Sequence, residues 1–139
     1  MNNFPVSKFV SIAPPAAIID NAALATASFK TDNAKYVVIS AYIGACDIAA
    51  TVCKVQHSDT DGSYTDISGS DLVASFTDAA DNQVIRWYIR VSKKWMDVAI
   101  TLGNGAAGTY ICAWADLYMD ELPSDNTELG VLASAFLQP

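Results

Sequence analysis

Along residues 84–91 apolar and polar positions alternate: Ile85, Trp87, Ile89 and Val91 share one parity, and Val84, Arg86, Tyr88 and Arg90 the other. A period of two marks a strand with one face turned to a core. The same alternation runs through residues 109–119, where Ile111, Ala113, Ala115 and Leu117 oppose Tyr110, Cys112, Trp114, Asp116 and Tyr118. Residues 48–56 place Ala50, Val52 and Lys54 on one side and Thr51, Cys53 and Val55 on the other. Tyr36-Val37-Val38-Ile39-Ser40-Ala41-Tyr42-Ile43 is dense in β-branched and aromatic side chains and stops at Gly44. Further strands are expected at residues 23–30, 64–67 and 95–102, while the polar stretch 68–82 reads as loop with a short strand near Phe76.

Turn chemistry separates these runs. Asp59-Thr60-Asp61-Gly62-Ser63 suits a tight hairpin, because Asp-Gly accepts positive φ. Gly103-Asn104-Gly105 forms a second break. Short strands with turns at this spacing predict an all-β fold, an antiparallel β-sandwich of jelly-roll or immunoglobulin-like type, over residues 22–119. No window carries the spacing of a long amphipathic helix.

The flanks read differently. Residues 1–21 contain Pro5, Pro14 and Pro15, which remove backbone donors and favour extended chain. Residues 120–139 begin acidic and end apolar, and 126–136 permits a short helix. Both are expected to be arms that dock on this domain or on a neighbour. Their apolar side chains, Phe4, Val6, Phe9 and Ile12 at one end and Leu129, Val131, Leu132, Phe136 and Leu137 at the other, are the candidate subunit-interface residues.

The 139 residues fit one domain able to bury a core without staples. Eight basic residues against fifteen acidic give a net charge of −7. That sign disfavours nucleic acid or an anionic membrane as partner, since phosphate neutralisation needs clustered Lys and Arg. Met1-Asn2-Asn3-Phe4-Pro5-Val6 lacks the charged start and apolar run of a signal peptide, and no apolar stretch reaches a membrane span. Synthesis in a reducing cytoplasm is expected. Cys46, Cys53 and Cys112 are odd in number with no close pair, which suits buried, reduced thiols.

Candidate chemistry is sparse. His57 is the single histidine, and its neighbour Ser58 would face the opposite side of a strand, so the two form no catalytic pair. Asp59, Asp61 and Asp66 resemble a fragment of a calcium loop, but the distal Glu is missing and a hairpin turn explains the same residues. Gly103-Asn104-Gly105-Ala106-Ala107-Gly108 leads from strand to strand, whereas a phosphate cradle needs a following helix. Trp87, Trp95, Trp114, Tyr36, Tyr42, Tyr88, Tyr110 and Tyr118 suit a core and an interface before a sugar platform. The expectation is no enzyme, no cofactor and no resident metal.

One resemblance adds to this. Ala23-Leu24-Ala25-Thr26-Ala27-Ser28, Tyr36-Val37-Val38-Ile39 and the run from Ile43 to Asp59, ending Lys54-Val55-Gln56-His57-Ser58-Asp59, resemble small proteins encoded beside the capsid genes of tailed bacteriophages. The return Gly62-Ser63-Tyr64-Thr65-Asp66-Ile67-Ser68-Gly69 and the start Gly108-Thr109-Tyr110 are similar to that pattern too. Lys93-Lys94-Trp95-Met96 departs from it, standing where the family has an Arg-rich turn. The likeness spans residues 22–119 and its motifs are structural. It implies a virion protein, a capsid decoration or cement protein on the outer surface of the major capsid protein shell, bridging neighbouring subunits and self-associating as a dimer or trimer. The alternative expectation is a receptor- or glycan-binding module of a head or tail fibre.

Overall fold

The computed structural model describes residues 7–24, 28–119, 131–137 and 139. Among the described residues nine strands form two sheets: β1 (Ser7–Ile19), β2 (Phe29–Lys30), β3 (Tyr36–Ile43), β4 (Ala50–Ser58), β5 (Thr65–Asp66), β6 (Gln83–Arg90), β7 (Trp95–Leu102), β8 (Thr109–Tyr118) and β9 (Val131–Leu137). One sheet has the order β1-β8-β3-β6-β9 and the other β2-β7-β4-β5. Pairing is antiparallel throughout except between β6 and β9, which run parallel. The sheets pack face to face as a β-sandwich.

The alternating positions form the core. From the larger sheet come Val37, Ile39, Ala41, Ile43, Ile85, Trp87, Ile89, Ile111, Ala113, Ala115 and Leu117; from the smaller come Phe29, Cys53, Val55, Met96, Val98, Ile100 and Leu102. Burying each large aliphatic or aromatic side chain is favourable by about 1.5–3 kcal/mol, which makes this double layer the main stabilising element.

Four segments refine or depart from the sequence expectation. The N-terminal stretch, expected as an extended arm docked on this domain or a neighbour, lies from Ser7 onwards along this domain as an edge strand paired with β8. Pro14 and Pro15 are tolerated because an edge strand has one side without ladder bonds, and register shifts between Ser11 and Ala13 and between Ala13 and Ala17 absorb the irregularity. In the C-terminal stretch, 131–137 is a strand beside β6 in place of a helix, while 126–130 lies outside the described residues. Of the strand expected at 23–30, the described residues show β2 and a single bridge between Ala23 and Thr101, and 25–27 lie outside the described residues.

The region 67–82 crosses between the sheets without a strand near Phe76. A single 3-10 turn, Val73–Ser75, precedes Phe76, whose ring is fully buried. Hydrogen bonds from Ile67 N–H to the Val55 carbonyl (3.0 Å) and from Leu72 N–H to the Cys53 carbonyl (2.8 Å) lay this segment along β4. Ser70 Oγ accepts from Val55 N–H and donates to the Val55 carbonyl, at 3.2 and 3.0 Å. The outer edge of β4 is thereby covered, which blunts an open ladder.

Candidate interaction surface

The residues with conventional chemistry are occupied structurally. His57 is buried near the end of β4, with Ser92 Oγ 3.4 Å from Nδ1. Burial lowers its pKa below the ordinary 6.5, Lys93 adds to the lowering, and Asp59 opposes it. The two carboxylates of the hairpin diverge in their bonding. Asp59 pairs with Lys93 at 3.3 Å, whereas Asp61 accepts from Tyr64 Oη at 2.6 Å and Ser28 Oγ at 2.8 Å. These hydrogen bonds hold the Asp61 carboxyl below its ordinary pKa. Among the described residues no three His, Cys, Asp or Glu side chains cluster as metal ligands. Cys53 is fully buried in the core, and burial, with the Asp71 charge adding, pushes its thiol up to about 12.

The two outer faces of the sandwich differ. On the four-stranded sheet, Lys54 Nζ and Gln56 Nε2 both donate to Asp66 at 2.6 Å, and Lys30 sits 5.2 Å from the Trp95 ring centre. On that face Lys54, Gln56 and Asp66 are paired with one another. The larger sheet turns outward Tyr36, Val38, Ser40 and Tyr42 from β3, Arg86 and Tyr88 from β6, and Tyr110, Cys112, Trp114, Asp116 and Tyr118 from β8. Its middle is closed: Val38, Ser40 and Tyr88 are buried, and Arg86 Nε donates to Ser40 Oγ at 3.1 Å. Asp116 lies on this face opposite Val38 and Phe9. Burial raises its pKa, against the lowering influence of the Trp114 hydrogen bond and the Arg86 charge.

Apart from Phe9, which pairs with Asp116 towards the other end, the exposed large apolar side chains of this sheet gather where β1 ends and β8 begins. Ile18 is 51% exposed, Tyr110 46% and Tyr42 39%. Ile18 is the cross-strand partner of Tyr110, and Tyr42 is the partner of Cys112, two residues further along the same face of β8. Pro15, Tyr42, Gly44, Tyr110, Ile111 and Cys112 line a cavity of about 220 Å³ beside them. Gly44 closes its floor: its N–H donates to the Tyr110 carbonyl at 2.8 Å, and a Cβ there would stand 3.1 Å from that of Tyr110. Contiguous exposed apolar surface rimmed by polar groups marks an interaction site more often than scattered single residues do.

The residues expected to form the interface are distributed unevenly. Phe9 is 63% exposed on the outer face, Ile12 is buried in the core, and Leu137 is buried too. Val131, Leu132 and Phe136 lie on β9, with Val131 in register with Val84 and Phe136 with Tyr88. Phe4, Val6 and Leu129 lie outside the described residues. Tyr42 and Tyr110 belong to the aromatic set expected in core or interface, and their outward parity puts them at the surface; Ile18 has no such signal in the sequence.

No protein-family model matches this chain, and comparison with curated proteins and with solved structures finds no match.

Proposed function

We propose that this chain is a structural virion protein, a capsid decoration or cement protein that binds the outer surface of the major capsid protein shell and bridges neighbouring subunits. The observation that carries the reading is the exposed patch of Pro15, Ile18, Tyr42 and Tyr110 around a small cavity, on a sandwich whose opposite face is polar and internally paired. Aromatic anchors beside a pocket are the usual centre of a protein interface. The phage-like motifs in residues 22–119 supply the choice of shell as partner. On a lattice, many copies convert modest single contacts into firm retention, so one small patch suffices.

A glycan-binding module of a fibre fits this cavity less well. Its hydrogen-bonding side chains are the hydroxyls of Tyr42 and Tyr110 and the Cys112 thiol, a poor set for orienting a sugar. The reading is tested by quantitative mass spectrometry of purified particles. The chain is expected in copy number comparable to the capsomers, and trace amounts would overturn it.

A further inference from the structure

The end of the sandwich that carries the patch is acidic. Asp20 follows β1, Asp47 lies between β3 and β4, and Asp78 and Asp81 precede β6. Three of these carboxylates are held in place by backbone donors. Asp20 accepts from Gly105 N–H at 2.8 Å, Asp47 from Ala107 N–H at 2.6 Å and Asp81 from Cys46 N–H at 2.6 Å. The last of these adjoins the cavity wall, since Gly44 accepts from Asn82 N–H at 3.2 Å and Ala45 from Tyr110 N–H at 3.0 Å.

None of the eight Lys and Arg residues falls at this end. Lys8, Lys30, Lys35, Arg90, Lys93 and Lys94 sit at the opposite one, where Ser7 and Tyr36 both pair with Tyr118. Lys54 and Arg86 lie mid-strand, opposite Ala99 and Ser40. The apolar patch therefore has fixed negative charge at its end of the sheet, while the cation on the same face, Arg86, stands opposite Ser40 with its Nε bonded to Ser40 Oγ.

From this we infer that the patch takes a basic segment of a protein partner: an apolar side chain for the cavity between Tyr42 and Tyr110, flanked by Lys or Arg that meet Asp20, Asp47 and Asp81. The inference rests on the reading of the patch as the docking seat and adds the chemistry of what docks. Charge of this kind acts on partner choice and encounter rate more than on the apolar contact itself, so it is sensitive to salt.

The test is fluorescence anisotropy of two labelled peptides with the full chain. Both carry a central Ile-Phe; one is flanked by lysines and the other by glutamates. The lysine peptide is expected to bind at least ~10-fold tighter at about 50 mM salt, the gap narrowing to under ~3-fold at about 500 mM. Tyr110→Ser should weaken the lysine peptide strongly. Asp47→Asn with Asp81→Asn, which keeps an acceptor oxygen for each backbone N–H, should weaken the lysine peptide and tighten the glutamate peptide, narrowing the gap between them. Equal binding of the two peptides, or lysine-peptide binding indifferent to Tyr110→Ser, would overturn the inference. So would concentration-dependent dimers in sedimentation velocity that Tyr110→Ser abolishes, because a second copy would then be the occupant. If the chain is abundant on particles but the peptides bind alike, only this inference falls. If the chain is absent from particles while the charge preference holds, only the decoration reading falls.

Discussion

Ile18 and Tyr110 face each other across the β1–β8 ladder, and about half of each remains exposed, at 51% and 46%. A cross-strand apolar pair with so much open surface adds little to folding. Ile18→Thr and Tyr110→Ser are each expected to change unfolding free energy by no more than ~1 kcal/mol in urea denaturation, as exposed positions do. Retention on the shell should fall at least tenfold, equivalent to about 1.4 kcal/mol, for either variant. A large loss of stability with unchanged retention would reverse the assignment of this pair.

The indole of Trp87 behaves in the opposite way. It is fully buried and its Nε1–H donates to the Ser70 carbonyl at 2.8 Å, tying the irregular 67–76 crossing to the core of the larger sheet. Trp87→Phe leaves that carbonyl without its donor and opens space beside it. The expected cost is ~2–4 kcal/mol, from the unsatisfied acceptor together with the lost packing. Urea denaturation of the purified variant measures it, and a cost under ~0.5 kcal/mol would mean the crossing does not depend on the indole hydrogen bond.

The pH dependence of stability has two opposing components. The folded-state pKa of His57 is lowered from 6.5, so the unfolded chain takes up the proton first. Stability from this group is complete above 6.5 and is lost as pH falls from there through the folded value. Asp61 and Asp66 act the same way in a lower window, below 3.8. Asp116 has a raised pKa, so its folded form protonates first, and it adds stability as pH falls through that value towards 3.8. Urea midpoints should therefore drop between about pH 7 and pH 5.5, with a shallower slope in His57→Gln, while Asp116→Asn should stabilise at neutral pH and lose that advantage in acid. Parallel slopes for wild type and His57→Gln would remove His57 from the account.

Thiol reactivity follows burial. Cys53, fully buried with its pKa pushed up to about 12, should resist alkylation of the native protein at mildly alkaline pH. Cys112 is half-buried and lines the patch cavity, so it should be modified faster despite its own raised pKa, which burial causes. Binding to shells should protect it. Mass-spectrometric alkylation rates for Cys112 in free and shell-bound chain check this, and equal rates would place the contact elsewhere.

The double-layer core was legible because strict alternation in 84–91 and 109–119 leaves one choice of buried face, and Ile85, Trp87, Ile89, Ile111 and Leu117 take it. The turn at Asp61-Gly62 was legible for a similar reason: Gly62 has a φ of +85°. The edge strands were harder to read. Pro14 and Pro15 argue against strand by local rules, and only the non-local pairing with β8 makes Ser7–Ile19 an edge. Parallel pairing of β9 with β6 likewise leaves no mark in the local pattern of 131–137. Of the patch, Tyr42 and Tyr110 were legible as core or interface aromatics, but their meeting with Pro15 and Ile18 of β1 was not, because that juxtaposition is set by sheet order.

The most direct test of the docking seat is co-sedimentation of the chain with shells that lack it, comparing wild type with Tyr110→Ser. The account predicts saturable binding of wild type at a fixed ratio to the major capsid protein, and Tyr110→Ser left in the supernatant with an unaltered circular dichroism spectrum. Equal co-sedimentation of the two proteins, or none of either, would contradict it.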